Sequence, residues 1–120
     1  MNIKGLRTFL PSIDYNVSKQ FYKDLGFSEM WGSEDLTIFG TKEHSFFLQN
    51  AYTKVWAENM MVQLFVDDLD GLYDVASKLI DKYENTKIKP IFLADYGRTF
   101  HLIGPAGELW HMMDASTRED

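Results

Sequence analysis

Asp14-Tyr15-Asn16-Val17-Ser18-Lys19-Gln20-Phe21-Tyr22-Lys23-Asp24-Leu25-Gly26-Phe27 is the stretch whose reading decides the fold. Asp14 is a residue type whose side chain accepts from the free N–H groups at a helix start. Val17, Phe21 and Leu25 follow at i, i+4 and i+8, which is one helical stripe. Gly26 stands where the backbone turns left-handed past a helix end, and Phe27 supplies the apolar contact that closes such an end. The stretch therefore predicts a helix over Tyr15 to Leu25. Ahead of it, Gly5 to Ser12 reads as a strand. Behind it come three strand-like runs, Phe27–Gly32, Asp35–Gly40 and Ser45–Asn50. Polar breaks at Ser33-Glu34 and Thr41-Lys42-Glu43 separate them.

The order then restarts. Asn50 to Asn59, which carries Trp56, reads as an irregular connection. Met60 to Val66 reads as a strand, with Asp68 or Asp70 capping the next helix. Leu72, Val75, Ala76, Leu79, Ile80 and Tyr83 form its apolar face, and Asn85 is its stop. Ile88–Leu93 is an edge strand because Pro90 interrupts it. Arg98–Ile103 and Glu108–Met113 are the last strands, and the polar end from Ser116 to Asp120 is expected to fray. Strand, helix and three strands, twice over, predict one α+β domain over residues 1–120. Its βαβββ halves span about 1–50 and 59–115.

Composition narrows the function classes. The chain has 120 residues, 45% hydrophobic and 25% charged, a size and balance that suit one domain with a real core. Aromatic residues reach 15%, enough to line a cleft as well as fill a core. No cysteine is present, so disulfide and thiolate chemistry fall away. A net charge of −6 argues against nucleic acid as a partner. No apolar run approaches a bilayer-spanning length, and the first ten residues lack the pattern of a signal peptide. The expectation is a cytoplasmic protein with no membrane partner.

Three motifs carry a resemblance. They are Asp14 to Phe27, then Phe65-Val66-Asp67-Asp68-Leu69, then Tyr96-Gly97 with Phe100, Gly104-Pro105-Ala106-Gly107 and Leu109-Trp110. In this order and spacing the chain resembles the vicinal-oxygen-chelate superfamily of glyoxalase, extradiol dioxygenases and bleomycin-resistance proteins. The pattern is nearest to its small bleomycin-resistance-like members. The resemblance implies a curved mixed sheet around a cleft with helices on the convex side, and a homodimer.

It also implies four positions where metal-dependent members carry ligands. Carried over, they fall on Arg7, Met61, His111 and a residue within Ser45 to Gln49, of which Gln49 is a weak donor. A fixed cation and a thioether are poor company for a divalent ion. No cofactor is therefore expected, although a divalent metal is left open.

Gly104-Pro105-Ala106-Gly107 reads as a hairpin loop with Gly107 left-handed. It pairs Ile103 with Leu109 and His101 with His111, on one face. These two histidines are the weak metal candidates and the candidate catalytic pair. The alternative is two half-exposed side chains bonded to neighbours or water. Strand alternation gathers a candidate ligand-binding set of Arg7, Phe9, Phe47, Gln49, Met61, Gln63, Phe65, His101, Leu109 and His111. Trp56 and Tyr96 join it from flanking loops, with Trp31 near the mouth and His44 merely exposed.

Three functions are weighed. The first is a metal-independent protein that binds an aromatic or charged small molecule. The second is a lyase, isomerase or dioxygenase with a modified metal site. The third is a structural or interaction module with a filled cleft.

Overall fold

The computed structural model describes residues 1–117. The first half runs β1 (Phe9–Leu10), α1 (Tyr15–Leu25), β2 (Glu29–Gly32), β3 (Leu36–Gly40) and β4 (Ser45–Gln49). A five-residue helix, α2 (Lys54–Glu58), leads to β5 (Met61–Val66) and α3 (Leu69–Lys82). Then come β6 (Lys87–Ile88), β7 (Phe92–Ala94), β8 (Gly97–Ile103) and β9 (Leu109–Asp114). Each half makes its own mixed sheet. The order is β1-β4-β3-β2 in one and β5-β9-β8-β6 in the other, with β7 also on β8. In both, the strand before the helix lies parallel to the last strand of its half, so the two halves share one topology.

The helix ends follow from the residues predicted to make them. Asp14 accepts from the Val17 N–H at 3.2 Å, and Asp68, the first of the two proposed caps, accepts from Gly71 at 3.0 Å. Gly26 adopts φ 120°, and Phe27 N–H bonds back to the Tyr22 carbonyl at 3.0 Å. The buried stripe of α1 differs from the prediction. Tyr15, Ser18, Phe21, Tyr22 and Leu25 are buried, whereas Val17 is 40% exposed. The helix rests on its sheet and on α3 together, so its buried arc is centred on the Phe21–Tyr22 edge. Val75 likewise lies outside the buried face of α3.

Several boundaries also move. The first strand shrinks from Gly5–Ser12 to two residues, because only Phe9 and Leu10 pair with β4. The run around Pro90 splits into β6 and β7, both paired with β8. The second helix ends at Lys82, three residues before Asn85, which takes a positive φ of 66° in the loop beyond. The connection read as irregular contains α2. Ser116 lies in a 3-10 turn, Ala115–Thr117, and the rest of the expected frayed end lies outside the described residues.

The core sits between the helices and one face of each sheet. Leu10, Phe39, Phe46, Leu48, Phe100, Leu102, Trp110 and Met112 are buried there. Alternate residues of the same strands leave the opposite face open. Outside the core, Asp24 ties the helices together. Lys82 Nζ donates to it at 2.7 Å, and the Tyr83 hydroxyl donates at 2.5 Å from just beyond α3. These bonds, Lys82 first, hold the Asp24 carboxyl down at about 2. A depressed carboxyl stabilises the fold above its ordinary range, and that contribution is lost as pH falls from about 4 to about 2. Asp24→Asn is expected to lower the urea midpoint at neutral pH and to flatten its fall across that acid window. Unfolding curves at neutral pH and near pH 2.5 check this.

Candidate functional site

The hairpin between β8 and β9 forms as its residues require. Gly107 takes φ 94° and its N–H bonds to the Gly104 carbonyl at 3.0 Å. Ile103 pairs with Leu109, and His101 with His111. The imidazoles meet edge to face, with centroids 4.7 Å apart, and the Phe92 ring abuts His101 at 5.4 Å. His101 Nε2 is buried without a hydrogen-bond partner. Burial pushes the His101 pKa below its ordinary value, helped by His111 and the Lys89 ammonium, so the ring is held neutral.

The open face of the second sheet carries Met61, Gln63, Phe65, Leu109, His111 and His101. In register, Met61 lies beside Leu109, Gln63 beside His111 and Phe65 beside Met113. Met61, Val62, Gln63, Tyr96 and His111 line a pocket of about 420 Å³. Phe65 turns toward the other half. With Gln63 and Leu64 it lines a pocket of about 400 Å³ against Gly26–Ser28, Gly40, Thr41 and His44. His44, expected to be only exposed, is thus a wall of that pocket.

The open face of the first sheet carries Arg7, Phe9, Phe47 and Gln49. Phe9 stacks on Phe47 with centroids 4.5 Å apart, and the Arg7 guanidinium lies 5.5 Å from the Phe47 ring centre. Arg7 Nε also donates to Ser45 Oγ at 2.8 Å. Trp56 sits on α2 and is 75% exposed.

The predicted site residues therefore fall into two half-sites, one on each sheet. No described pocket is lined by both the Arg7–Phe9–Phe47 cluster and the His101–His111 pair. Phe92, Lys87 and Lys89 were missed by strand reasoning. Ile88–Leu93, which holds Lys89 and Phe92 but not Lys87, was read as one strand, although Phe92 pairs with Thr99 and so shares the face of His101.

The register also fixes which β4 residue corresponds to His111. Phe9 lies beside Phe47, which places Arg7 beside Ser45 just as Met61 lies beside Leu109. Two residues on, His111 in one half corresponds to Phe47 in the other. The set is then Arg7, Phe47, Met61 and His111, with one imidazole donor and one fixed positive charge. That set does not fit a divalent cation, which needs three or four N, O or S donors. Among the described residues no three His, Cys, Asp or Glu side chains group to hold a metal ion. No described helix is long and apolar enough to cross a membrane.

No protein-family model and no curated protein matches the chain. Solved structures do match. The bleomycin-binding protein of Streptomyces verticillus, complexed with copper(II)-bleomycin, superposes with a TM-score of 0.76 at 19% identity, over 95% of this chain and 98% of that one. An antibiotic-binding protein from a Streptomyces species gives 0.76 at 16% identity, over 95% and 98%. The fosfomycin resistance protein FosX of Listeria monocytogenes, with Mn(II) and sulfate, gives 0.73 at 14% identity, over 94% and 91%. The chain has the fold of these proteins.

Proposed function

We propose that the chain is a metal-independent small-molecule binding protein whose cleft is completed by pairing two copies. The observation that carries this is the pair of open sheet faces. One bears stacked aromatics beneath an arginine, Phe9, Phe47 and Arg7. The other bears apolar and hydrogen-bonding groups, Met61, Gln63, His101 and His111. Each is half of what small-molecule sites commonly have, which is apolar walls with a few convergent polar groups. Phe9 is 45% exposed and Met61 64% exposed, so both halves lie bare in a single chain. A second copy related by a two-fold axis would bring one half-site of each kind together, twice.

The fold supports this reading, because two of the similar proteins are named for binding bleomycin or another antibiotic. The Mn(II)-containing neighbour indicates that the fold also accommodates a metal. The donor set here departs from what such an ion needs. The ligand class that suits Phe9, Phe47 and Arg7 is a planar aromatic compound, with an acidic group placed for the guanidinium.

The experiment is a thermal-shift screen of planar aromatic acids and cations, with sedimentation analysis and bound-metal analysis on the same preparation. A ligand that binds the native state raises the midpoint. The expected result is a dimer with no tightly held metal and at least one stabilising aromatic compound, whose effect Phe47→Ala removes. A monomer, or no shift with any compound, overturns the cleft and favours an interaction module. About one metal per chain, lost on His111→Ala, overturns metal independence and favours an enzyme built on His101 and His111.

A further inference from the structure

Where α3, β6 and the β8–β9 hairpin meet, a pocket of about 540 Å³ opens. Its walls are apolar: Ile80 from α3, Ile88 from β6, Ile103 from β8 and Leu109 from β9. Three nitrogen-bearing side chains also line it, Lys87, Lys89 and His101. The chain as a whole carries −6, and five of its other cations are paired. Lys19, Lys23, Lys54, Lys82 and Arg98 all lie within ion-pair distance of carboxylates. Among the described residues neither Lys87 nor Lys89 has such a partner.

We infer that this pocket is a second ligand site, for a monocarboxylate with an apolar body. The apolar part fills the space between the isoleucines and Leu109, and the carboxylate lies between the two ammonium groups and the His101 imidazole. The volume is in the range of small-molecule sites, roughly 300–1,000 Å³. The chemistry selects an anion. A neutral chain would leave two lysines uncompensated beside an apolar cavity, and a cation would be repelled by them. A carboxylate satisfies both and offers an acceptor to imidazole N–H. His101 lines the pocket, and its Nε2 is buried without a hydrogen-bond partner. The lowered His101 pKa agrees with it, since the Lys89 ammonium is close enough to be one of the causes. The site is complete in one chain. It shares His101 with the second half-site of the proposed cleft but involves neither Arg7 nor Phe47.

The test is isothermal titration with decanoate, decanol and decyltrimethylammonium, each kept below its micelle concentration. The proteins are the parent chain, Lys87→Glu/Lys89→Glu, and a control, Lys42→Glu/Lys78→Glu, which makes the same charge change elsewhere. The expected result is one decanoate per chain, bound roughly tenfold or more weaker in the pocket variant and nearly unchanged in the control. Decyltrimethylammonium should bind the parent poorly and the pocket variant better. Phe47→Ala should leave decanoate binding intact, which separates failure of this site from failure of the cleft. Equal binding of all three probes, no binding of decanoate, or equal loss in both double variants would overturn the assignment.

Discussion

Trp110→Ala is expected to cost about 3–5 kcal/mol, the usual range for deleting a buried large aromatic side chain. Trp110 is 1% exposed and lies on β9, in the second half. Its ring neighbours all belong to the first half: Tyr22 at 5.7 Å, Phe27 at 5.4 Å and Phe46 at 5.4 Å between centroids. Its indole N–H donates to the Tyr22 hydroxyl at 3.1 Å. The substitution therefore opens a cavity where the two βαβββ halves are joined. A domain with about 5–15 kcal/mol in total has little to spare for that. Trp110→Phe keeps an aromatic ring and removes only the N–H that the Tyr22 oxygen accepts, the Tyr22 bond to Glu108 remaining, and should cost clearly less. Urea unfolding followed by circular dichroism measures both. A loss under about 1 kcal/mol for the alanine variant would mean that the aromatic cluster is not what couples the halves.

The same residue marks what could be read from the chain and what could not. Local signals carried the element order, because caps, stops and turns act within a few residues. The Asp14 cap, the Gly26 stop and the loop at Gly104–Gly107 each have a mechanical reason. The loop length in turn fixes the His101–His111 pairing, since hairpin register follows from turn type. The missed elements lacked such devices. Thr53 makes no side-chain cap for α2, and five residues are too few for a stripe. The first strand was read too long because its alternation continues past the two residues that find a partner in β4.

The site was less legible than the fold for a different reason. Alternation assigns each residue to a face of its own sheet, and that worked for Phe9, Phe47, Gln63, His101 and His111. It does not say how two sheets lie relative to each other. Whether one chain or two would bring both sets into one cleft therefore stayed open, and a single chain presents two half-sites. The register of β4 could be settled only by pairing with β1, which replaced the range Ser45–Gln49 by Phe47 and made the donor set poorer still. The pocket at the β6 edge was invisible for the same reason. Lys87 and Lys89 are unremarkable on a strand until Ile80 and Leu109 arrive from other elements.

Glu108 is the residue whose importance the sequence hid most completely, and it sets the second large effect. Read as the first residue of a strand, it is instead fully buried beside Trp110. One carboxylate oxygen accepts from the Tyr22 hydroxyl at 2.8 Å and the other from the Ala106 N–H at 2.9 Å. Gly104 makes room for it, since a Cβ there would come within 2.6 Å of the carboxyl. Glu108→Ala leaves two buried donors without acceptors, at about 1–3 kcal/mol each, so a loss of about 3 kcal/mol is expected. Burial raises the Glu108 pKa from its ordinary 4.5 despite these bonds. A raised carboxyl binds its proton more tightly folded than unfolded. Its contribution is thus full below the ordinary range and is lost as pH rises through the folded value. Glu108→Gln keeps an acceptor for Ala106 but points a second donor at the Tyr22 oxygen, at a cost of about 1 kcal/mol under acidic conditions. Having no charge to bury, it should lose less than the parent as pH rises. The gap between the two proteins should therefore narrow in urea unfolding as pH rises above the ordinary carboxyl range. A gap that widens instead would mean that Glu108 is held as a stabilised carboxylate, with Tyr22 and Ala106 outweighing its burial.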